Sequence, residues 1–193
     1  MEKGYKFYCQ LDYPDYHYPD SKNGFGTIAD NGCGPCCAAM VAENMLGIDF
    51  KPWKACLLAI ACKARNEIPG TDFGIFTPVF AKEVGLNVKE TLDPDEAKRF
   101  LAEGRGMIIA NTKGDRPDDG YIGVFSDCGH YITLTDLEGD KVRVLDPMYR
   151  EGSGRYDKPG RAGKVVMEGK EAIADFDVVR QDCYGRPYFL FWK

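Results

Sequence analysis

The chain has 193 residues, of which 25 are Lys or Arg and 30 are Asp or Glu, so its net charge is −5 with neutral histidines. This acidic balance argues against nucleic acid and against an anionic membrane surface as the main partner. No apolar run reaches the ~20 residues that cross a bilayer, so we expect no membrane span. The length predicts a single domain, residues 1–193, with a sizeable core.

The start of the chain and its cysteines bear on localisation. Residues 1–8 (MEKGYKFY) lack the apolar region of a signal peptide, so we expect a cytoplasmic protein, or a secreted one whose leader has been removed. Of the eight cysteines, Cys56 and Cys62 lie inside apolar helix-like segments. This favours free thiols in a reducing compartment over a disulfide framework.

The first part of the chain is predicted to be helical. Residues 10–31 are rich in Tyr, Pro, Asp and Gly and indicate an irregular lead-in. Apolar spacing, caps and breakers then predict helices over about 35–46, 51–63, 76–84 and 93–102, with a short strand near 87–90. We assign these elements to a helical half of about residues 1–104.

The second part, about residues 105–193, is predicted to be mainly sheet. Strands are expected over about 106–111, 131–135, 141–145, 176–179 and 187–192, loops over 113–120 and 152–163, and a helix over 170–174. A turn at Gly139 joins the second and third strands into a hairpin. Helices followed by a mostly antiparallel sheet predict the α+β class.

A cysteine in a glycine-rich turn is the first chemical signal. Cys33 lies between Gly32 and Gly34, and Pro35, a residue favoured at the first helical position, precedes the first apolar helix. The positive end of a helix favours the thiolate, which is the reactive form of cysteine. The flanking glycines are expected to leave the sulfur uncovered. The sequence therefore predicts an activated, accessible Cys33.

A histidine and an acid on the predicted hairpin are the second signal. The chain has two histidines, and His130 opens one strand of the hairpin while Asp146 ends the other. In an antiparallel pair with a turn near Gly139, these two positions lie near each other. An acid on one ring nitrogen fixes the tautomer of a histidine, whose other nitrogen then accepts a thiol proton. We predict Cys33 as nucleophile, His130 as base and Asp146 as orienting acid.

Acyl chemistry also needs an oxyanion hole. Gln10 has a side-chain amide that can supply one N–H donor, and the backbone N–H of Cys33 can supply the other. His17 lies among Tyr and Pro residues in the lead-in, where a surface role is expected. These assignments complete a four-residue set of Gln10, Cys33, His130 and Asp146.

Several motifs resemble one known family. They are YCQLDY at residues 8–13, GTIA at 26–29, GCGP at 32–35, AMV at 39–41, GHYI at 129–132, and the pair Asp146 and Pro147. In this order they resemble the C39-like papain-fold cysteine peptidases, over about residues 5–150. The sequence departs from the family pattern at Cys36 and Cys37.

The resemblance implies a papain-like α+β fold, with the nucleophile on a central helix and the histidine on the sheet. It implies the same roles for Cys33, His130, Asp146 and Gln10. We therefore expect a thiol hydrolase, a cysteine peptidase that cleaves a peptide or small amide through a thioester. No cofactor and no metal are expected, and the oligomeric state is left open.

Four alternatives remain at this point. Residues 33–36 (CGPC) match the dithiol of thioredoxin, which predicts a thiol-disulfide oxidoreductase using Cys33 and Cys36, although no βαβ pattern surrounds the motif. A zinc site at Cys33, Cys36 and Cys37 lacks a well-spaced second pair of ligands. The chain can also be a non-catalytic papain-fold binding module, and the same triad can hydrolyse small amides or transfer acyl groups.

Overall fold

The computed structural model describes residues 3–67 and 69–193; the signal-peptide argument rests in part on Met1 and Glu2, which lie outside them. A 3-10 helix, Gln10–Asp12, precedes the regular elements. The helices are α1 (Ile28–Asn31), α2 (Cys33–Leu46), α3 (Pro52–Ala61), α4 (Phe73–Val84), α5 (Pro94–Ala102) and α6 (Phe176–Asp182). The strands are β1 (Asn87–Thr91), β2 (Met107–Thr112), β3 (His130–Glu138), β4 (Lys141–Leu145), β5 (Val165–Glu168), β6 (Glu171–Asp175) and β7 (Tyr188–Trp192).

The seven strands form one sheet in the order β1-β7-β2-β3-β4-β6-β5, and every described pair is antiparallel. The hairpin turn between β3 and β4 lies where the sequence predicts it, around Gly139. Leu134 pairs with Val144 and Asp136 with Arg143, so a bulge in β3 separates these two pairs. β7 lies inside the sheet between β1 and β2.

The central strands of the sheet are buried on both faces. In β7, Phe189 and Phe191 pack with the core formed by α2, α3 and α4, whereas Tyr188 and Leu190 pack with the core that includes α5 and α6. This alternation follows from the two-residue period of a strand. β7 and its neighbour β2 therefore read as continuous apolar runs rather than as alternating patterns, because both of their faces are covered.

α2 is the central helix. The helix has 14 residues, and residues 34–43 are all buried, which agrees with its nearly uniform apolar sequence. It ends at Gly47, whose φ of 69° is the left-handed C-cap that glycine adopts without strain. The helix packs against β2 and β3 on one side and against α3 on the other. It therefore carries Cys33, its first residue, directly to the sheet.

Two secondary-structure predictions near the C-terminus are wrong: one segment predicted as helix is a strand, and the next, predicted as strand, is a helix. Residues 170–174 were predicted to be helical, but Glu171–Asp175 is strand β6, which pairs with both β4 and β5. Residues 176–179 were predicted as a strand, but Phe176–Asp182 is helix α6. Helix propensity at Glu171 and Ala172, and β-branched residues in the next segment, are weak preferences that tertiary packing overrides.

Other boundaries differ by a few residues. α4 begins at Phe73 rather than at 76, because the Asp72 carboxylate caps it by accepting a hydrogen bond from the N–H of Ile75. The lead-in contains the short helix α1, which is capped by Thr27 and Asp30 and was not predicted. Across residues 3–67 and 69–193 no helix combines the length and apolar character that a bilayer crossing requires.

Candidate active site

Cys33 is the first residue of α2 and directly follows α1. The N–H of Gly32 donates to the carbonyl of Ile28 at 2.8 Å, which closes α1 immediately before the new helix begins. A Cβ on Gly32 would lie 2.4 Å from that carbonyl oxygen, so only glycine permits this junction. The N–H groups of the first helical turn have no acceptor within their own helix. The backbone at Cys33 is therefore oriented as an anion-binding end.

The space beside Gly34 is filled by a protein side chain. A Cβ on Gly34 would lie 2.5 Å from Cε2 of Phe73, whose ring is stacked on Tyr131 with centroids 4.0 Å apart. Both flanking glycines therefore allow a neighbouring part of the protein to approach, Ile28 at Gly32 and Phe73 at Gly34. Cys33 itself remains half-buried, with part of its surface exposed.

His130 and Asp146 are in direct contact. Nε2 of His130 and Oδ1 of Asp146 lie 2.8 Å apart, and both side chains are buried. Thr133 pairs with Leu145, and this register brings the start of β3 close to the residue that follows β4. The contact occupies Nε2, so Nδ1 is the ring nitrogen available to Cys33.

Cys33 and His130 shift the pKa of each other. Burial opposes the thiolate, but the hydrogen bond and charge of His130, with the backbone N–H groups of Tyr131 and Gly34, lower the pKa of the Cys33 thiol below its ordinary value. Burial also opposes the imidazolium, yet Asp146 and Cys33 raise the pKa of His130 to about 9. Both shifts favour the thiolate beside the imidazolium.

Asp146 has more partners than His130. Its Oδ1 also accepts from the N–H of Met148 at 2.9 Å, while its Oδ2 accepts from Nε of Arg155 at 2.6 Å and from the hydroxyl of Tyr156 at 2.7 Å. Burial opposes its charge, but His130, Arg155 and Tyr156 hold the pKa of Asp146 below its usual range. Asp146 is therefore an ionised and fully hydrogen-bonded carboxylate.

Arg155 and Tyr156 were missed by the sequence analysis. They lie in the loop of residues 152–163, which was predicted only as rich in glycine and charge. The sequence feature that could have pointed to them is an arginine followed by a tyrosine within a segment of mostly small and polar residues. Their contact with Asp146 depends on how the loop folds back over the end of β4, which no local pattern reports.

Gln10 lies close to the start of α2. Its buried side chain donates from Nε2 to the carbonyl of Ala29 in α1 at 2.7 Å. An amide nitrogen carries two N–H donors, so this bond leaves one of them for a further acceptor. Within the described residues, Oε1 of Gln10 is buried without a hydrogen-bond partner. The amide is therefore held by the carbonyl of Ala29, which lies four residues before Cys33 in sequence.

A cleft of about 510 Å³ opens at Cys33 and His130. Thr71, Phe73, Asn111 and Arg186 are among the residues that line it. A larger cavity, of about 880 Å³, lies around Arg65 and Ile60 and includes none of the four predicted site residues. The chemistry of the side chains, rather than cavity size, identifies the first cleft as the candidate site.

The other cysteines and histidine differ from the site residues. All eight cysteines are free thiols, and burial raises the pKa of Cys36 and of Cys37 well above the ordinary value. His17 is exposed and bridges to Thr27 in the lead-in. In the part of the chain that the structure describes, no group of three or more His, Cys, Asp or Glu side chains is arranged to hold a metal ion.

Comparisons with solved structures show the fold. The chain is similar to a protein from Bacillus anthracis described as a C39-like peptidase, an assignment that is itself provisional, with a TM-score of 0.62, 12% identity, and coverage of 98% of this chain and 95% of that one. It is also similar to the peptidase domain of Streptococcus ComA, a bifunctional ABC transporter involved in quorum sensing, with a TM-score of 0.53, 14% identity, and coverage of 84% and 91%. No family model and no curated protein sequence matches.

These likenesses confirm two predictions made from sequence. The fold is the α+β, papain-like fold of C39 peptidase domains, and the motif resemblance pointed to the same group. At 12–14% identity the likeness concerns the fold. The activity of this chain therefore has to be argued from its own residues.

Proposed function

We propose that the protein is a cysteine peptidase that cleaves a peptide or small amide bond through a thioester intermediate. One observation carries the proposal: the His130–Asp146 hydrogen bond of 2.8 Å lies beside Cys33 at the N-terminus of the central helix of a peptidase fold. Nucleophile, base and orienting acid come from three separate elements. Cys33 and His130 line one cleft and Asp146 contacts His130, which supports a catalytic role for each.

In the first half-reaction the Cys33 thiolate attacks the carbonyl carbon of the scissile bond. The bond that forms is S–C, and the carbonyl oxygen becomes an oxyanion. A free N–H of Gln10 and the backbone N–H of Cys33 stabilise that charge. The His130 imidazolium donates its Nδ1 proton to the leaving nitrogen, the C–N bond breaks, and an acyl-enzyme thioester and a neutral His130 remain.

In the second half-reaction the neutral His130 takes a proton from water as the water oxygen attacks the thioester carbon. The C–S bond breaks, the carboxylic acid product leaves, and Cys33 returns to the thiolate with His130 protonated. Asp146 keeps the ring orientation through both halves, because its bond to Nε2 is the same in each. The reaction requires no cofactor or metal.

The substrate class follows from the nucleophile and the cleft. A thiolate of lowered pKa suits acyl carbons, and the cleft of about 510 Å³ opens at Cys33 in a fold that this chain shares with peptidase domains. Peptide is therefore the preferred substrate, with small-amide hydrolysis or acyl transfer to an amine as variants of the same chemistry.

Alkylation across pH tests the nucleophile. We expect iodoacetamide to modify Cys33 selectively below neutral pH, with exposed Cys128 as the reference thiol in the same molecule. His130→Ala removes the partner that lowers the pKa of Cys33 and should abolish that selectivity. Peptide mass mapping reads both sites in one digest. Equal labelling of Cys33 and Cys128 throughout the pH range would disprove the assignment.

Turnover is tested with a peptide library made by digesting a proteome. New N-termini are expected with the wild-type chain and none with Cys33→Ala. Cys128→Ala is the matched control, since it removes a thiol outside the proposed machinery. Selective alkylation without any new N-terminus would replace peptide by small amides as the substrate class.

A further inference from the structure

The carboxylate of Asp146 divides its two oxygens between two tasks. Oδ1 faces His130, while Oδ2 accepts from Arg155 and from Tyr156. Asp146 is 1% exposed, so these partners act without competition from solvent. A carboxylate held at both oxygens cannot rotate about its last bond without losing at least one of these contacts. The partners of Oδ2, together with the N–H of Met148 on Oδ1, therefore set where Oδ1 points.

Arg155 also contacts the segment that leads into β3. Its Nη2 donates to the carbonyl of Phe125, five residues before His130. The same guanidinium therefore joins the end of β4, through Asp146, to the loop that delivers the histidine. Tyr156 adds a neutral donor to Oδ2 and packs edge-on against Phe125. Of the two side chains, only Arg155 brings a positive charge.

We propose that Arg155 is a positioning residue for the Cys33–His130 pair, which fixes Asp146 Oδ1 on His130 and limits how far Asp146 raises the basicity of the imidazole. The inference rests on the proposed function for its catalytic meaning. The claim that Arg155 changes the basicity of His130 through Asp146 rests on the hydrogen bonds that join the three side chains.

The positive charge of Arg155 opposes protonation of His130. The titratable groups that face the His130–Asp146 pair are Cys33 and Cys37 from α2, Tyr131 from β3, and Arg155 and Tyr156 from the loop. Arg155 is the one permanent cation in this set. A positive charge disfavours a second one nearby, so Arg155 makes the His130 proton easier to release. The proton donated to a leaving amine comes from that site.

The test measures the titration of His130 directly. The full chain contains two histidines, so labelled imidazole carbons give two NMR signals, and His17→Gln assigns them. The measurement is made in Cys33→Ala, so that no thiolate titrates with the ring. A cation bound to the far oxygen of the carboxylate that contacts His130 is expected to shift the pKa of the ring by on the order of one unit. Arg155→Met is therefore expected to move the His130 midpoint up by about one pH unit.

Companion variants separate charge from packing. Arg155→Lys keeps the charge and should stay near the original midpoint, while Tyr156→Phe removes a neutral donor from the same oxygen and should shift it less than Arg155→Met. Arg155→Gln is a second neutral variant and should also shift the midpoint upward. Arg161→Met is the matched control, because buried Arg161 binds Gly123 and Asp127 but does not contact Asp146.

Several outcomes would overturn the inference. An unchanged midpoint in Arg155→Met, or an equal shift in Arg161→Met, would reduce Arg155 to a structural role. Failure of both neutral variants to fold would do the same. The NMR result does not depend on turnover: if the wild-type chain alkylates non-selectively and cleaves nothing, the proposed function fails while the His130 shift still decides this inference.

Discussion

The backbone N–H of Gln10 donates a 2.8 Å hydrogen bond to the carbonyl of Pro147, the residue that follows Asp146. This bond ties the irregular lead-in to the residues that follow β4. Because a backbone bond makes the connection, substitutions of the Gln10 side chain leave it in place. The role of the amide can thus be tested without detaching the segment that carries it.

Gln10→Met is expected to separate activity from stability. It removes one hydrogen bond to Ala29, worth about 1 kcal/mol, and also removes the buried, unpartnered Oε1, so the free energy of unfolding should change by no more than about 1 kcal/mol. Loss of an oxyanion donor should lower kcat by about 10²–10³-fold. Urea unfolding and peptide turnover measure the two effects. A kcat within threefold of wild type would remove Gln10 from the mechanism.

The paired pKa shifts predict different pH profiles for hydrolysis and for alkylation. Hydrolysis needs the Cys33 thiolate and the His130 proton together, so kcat/KM should rise with pH as the thiol ionises and fall as His130 deprotonates at about pH 9. Alkylation needs only the thiolate and should show no fall near pH 9. Stopped-flow alkylation and peptide turnover over pH 4–10 compare them. Coincident alkaline limbs would contradict this division of roles.

Gly34→Ala should damage the site through Phe73. The new Cβ would lie 2.5 Å from a ring that is 1% exposed and stacked on Tyr131, so the ring or the helix start must move. We expect a destabilisation of about 1–3 kcal/mol and at least a tenfold loss of kcat/KM. Thermal unfolding and turnover measure both.

A second substitution controls for that explanation. Phe73→Leu makes room beside residue 34, so Gly34→Ala/Phe73→Leu should recover part of the activity that Gly34→Ala loses, relative to Phe73→Leu alone. Additive losses in the double variant would show that the helix backbone, rather than contact with Phe73, requires glycine.

Cys36→Ala discriminates hydrolysis from redox chemistry. Cys36 is fully buried in α2, and the hydrolytic mechanism gives it no role, so turnover should stay within about threefold and stability should fall by about 1 kcal/mol. A dithiol mechanism using Cys33 and Cys36 predicts complete loss of activity. Insulin reduction by the wild-type chain is the second readout. Measurable reduction that disappears in Cys36→Ala would favour the oxidoreductase alternative.

Sequence patterns predicted correctly the elements whose conformation depends on residues close in sequence. The apolar stretch after Cys33 and the Gly139 turn predicted the central helix and the β3–β4 hairpin, because both depend on neighbours in sequence. From the hairpin, the closeness of His130 and Asp146 followed by geometry. These elements carry most of the candidate site.

Long-range contacts account for what the sequence did not reveal. Glu171 opens β6 and is buried against Arg143, although its neighbours favour a helix, because pairing with β4 outweighs local propensity. Arg155 reaches Asp146 from a loop without periodicity. Phe73 fills the space at Gly34 from another helix. In each case the contacting residue is distant in sequence, so a pattern within a short stretch of sequence cannot predict the contact.

The position of β7 has a consequence for when the site can form during synthesis of the chain. Residues 188–192 form an interior strand between β1 and β2, and the adjoining Arg186, Pro187 and Phe189 line the cleft at Cys33. A ribosome must therefore synthesise the chain through about residue 192 before β1 and β2 can close on β7 and this wall can form. We expect Cys33, made some 150 residues earlier, to stay chemically ordinary in the nascent chain until β7 has been made.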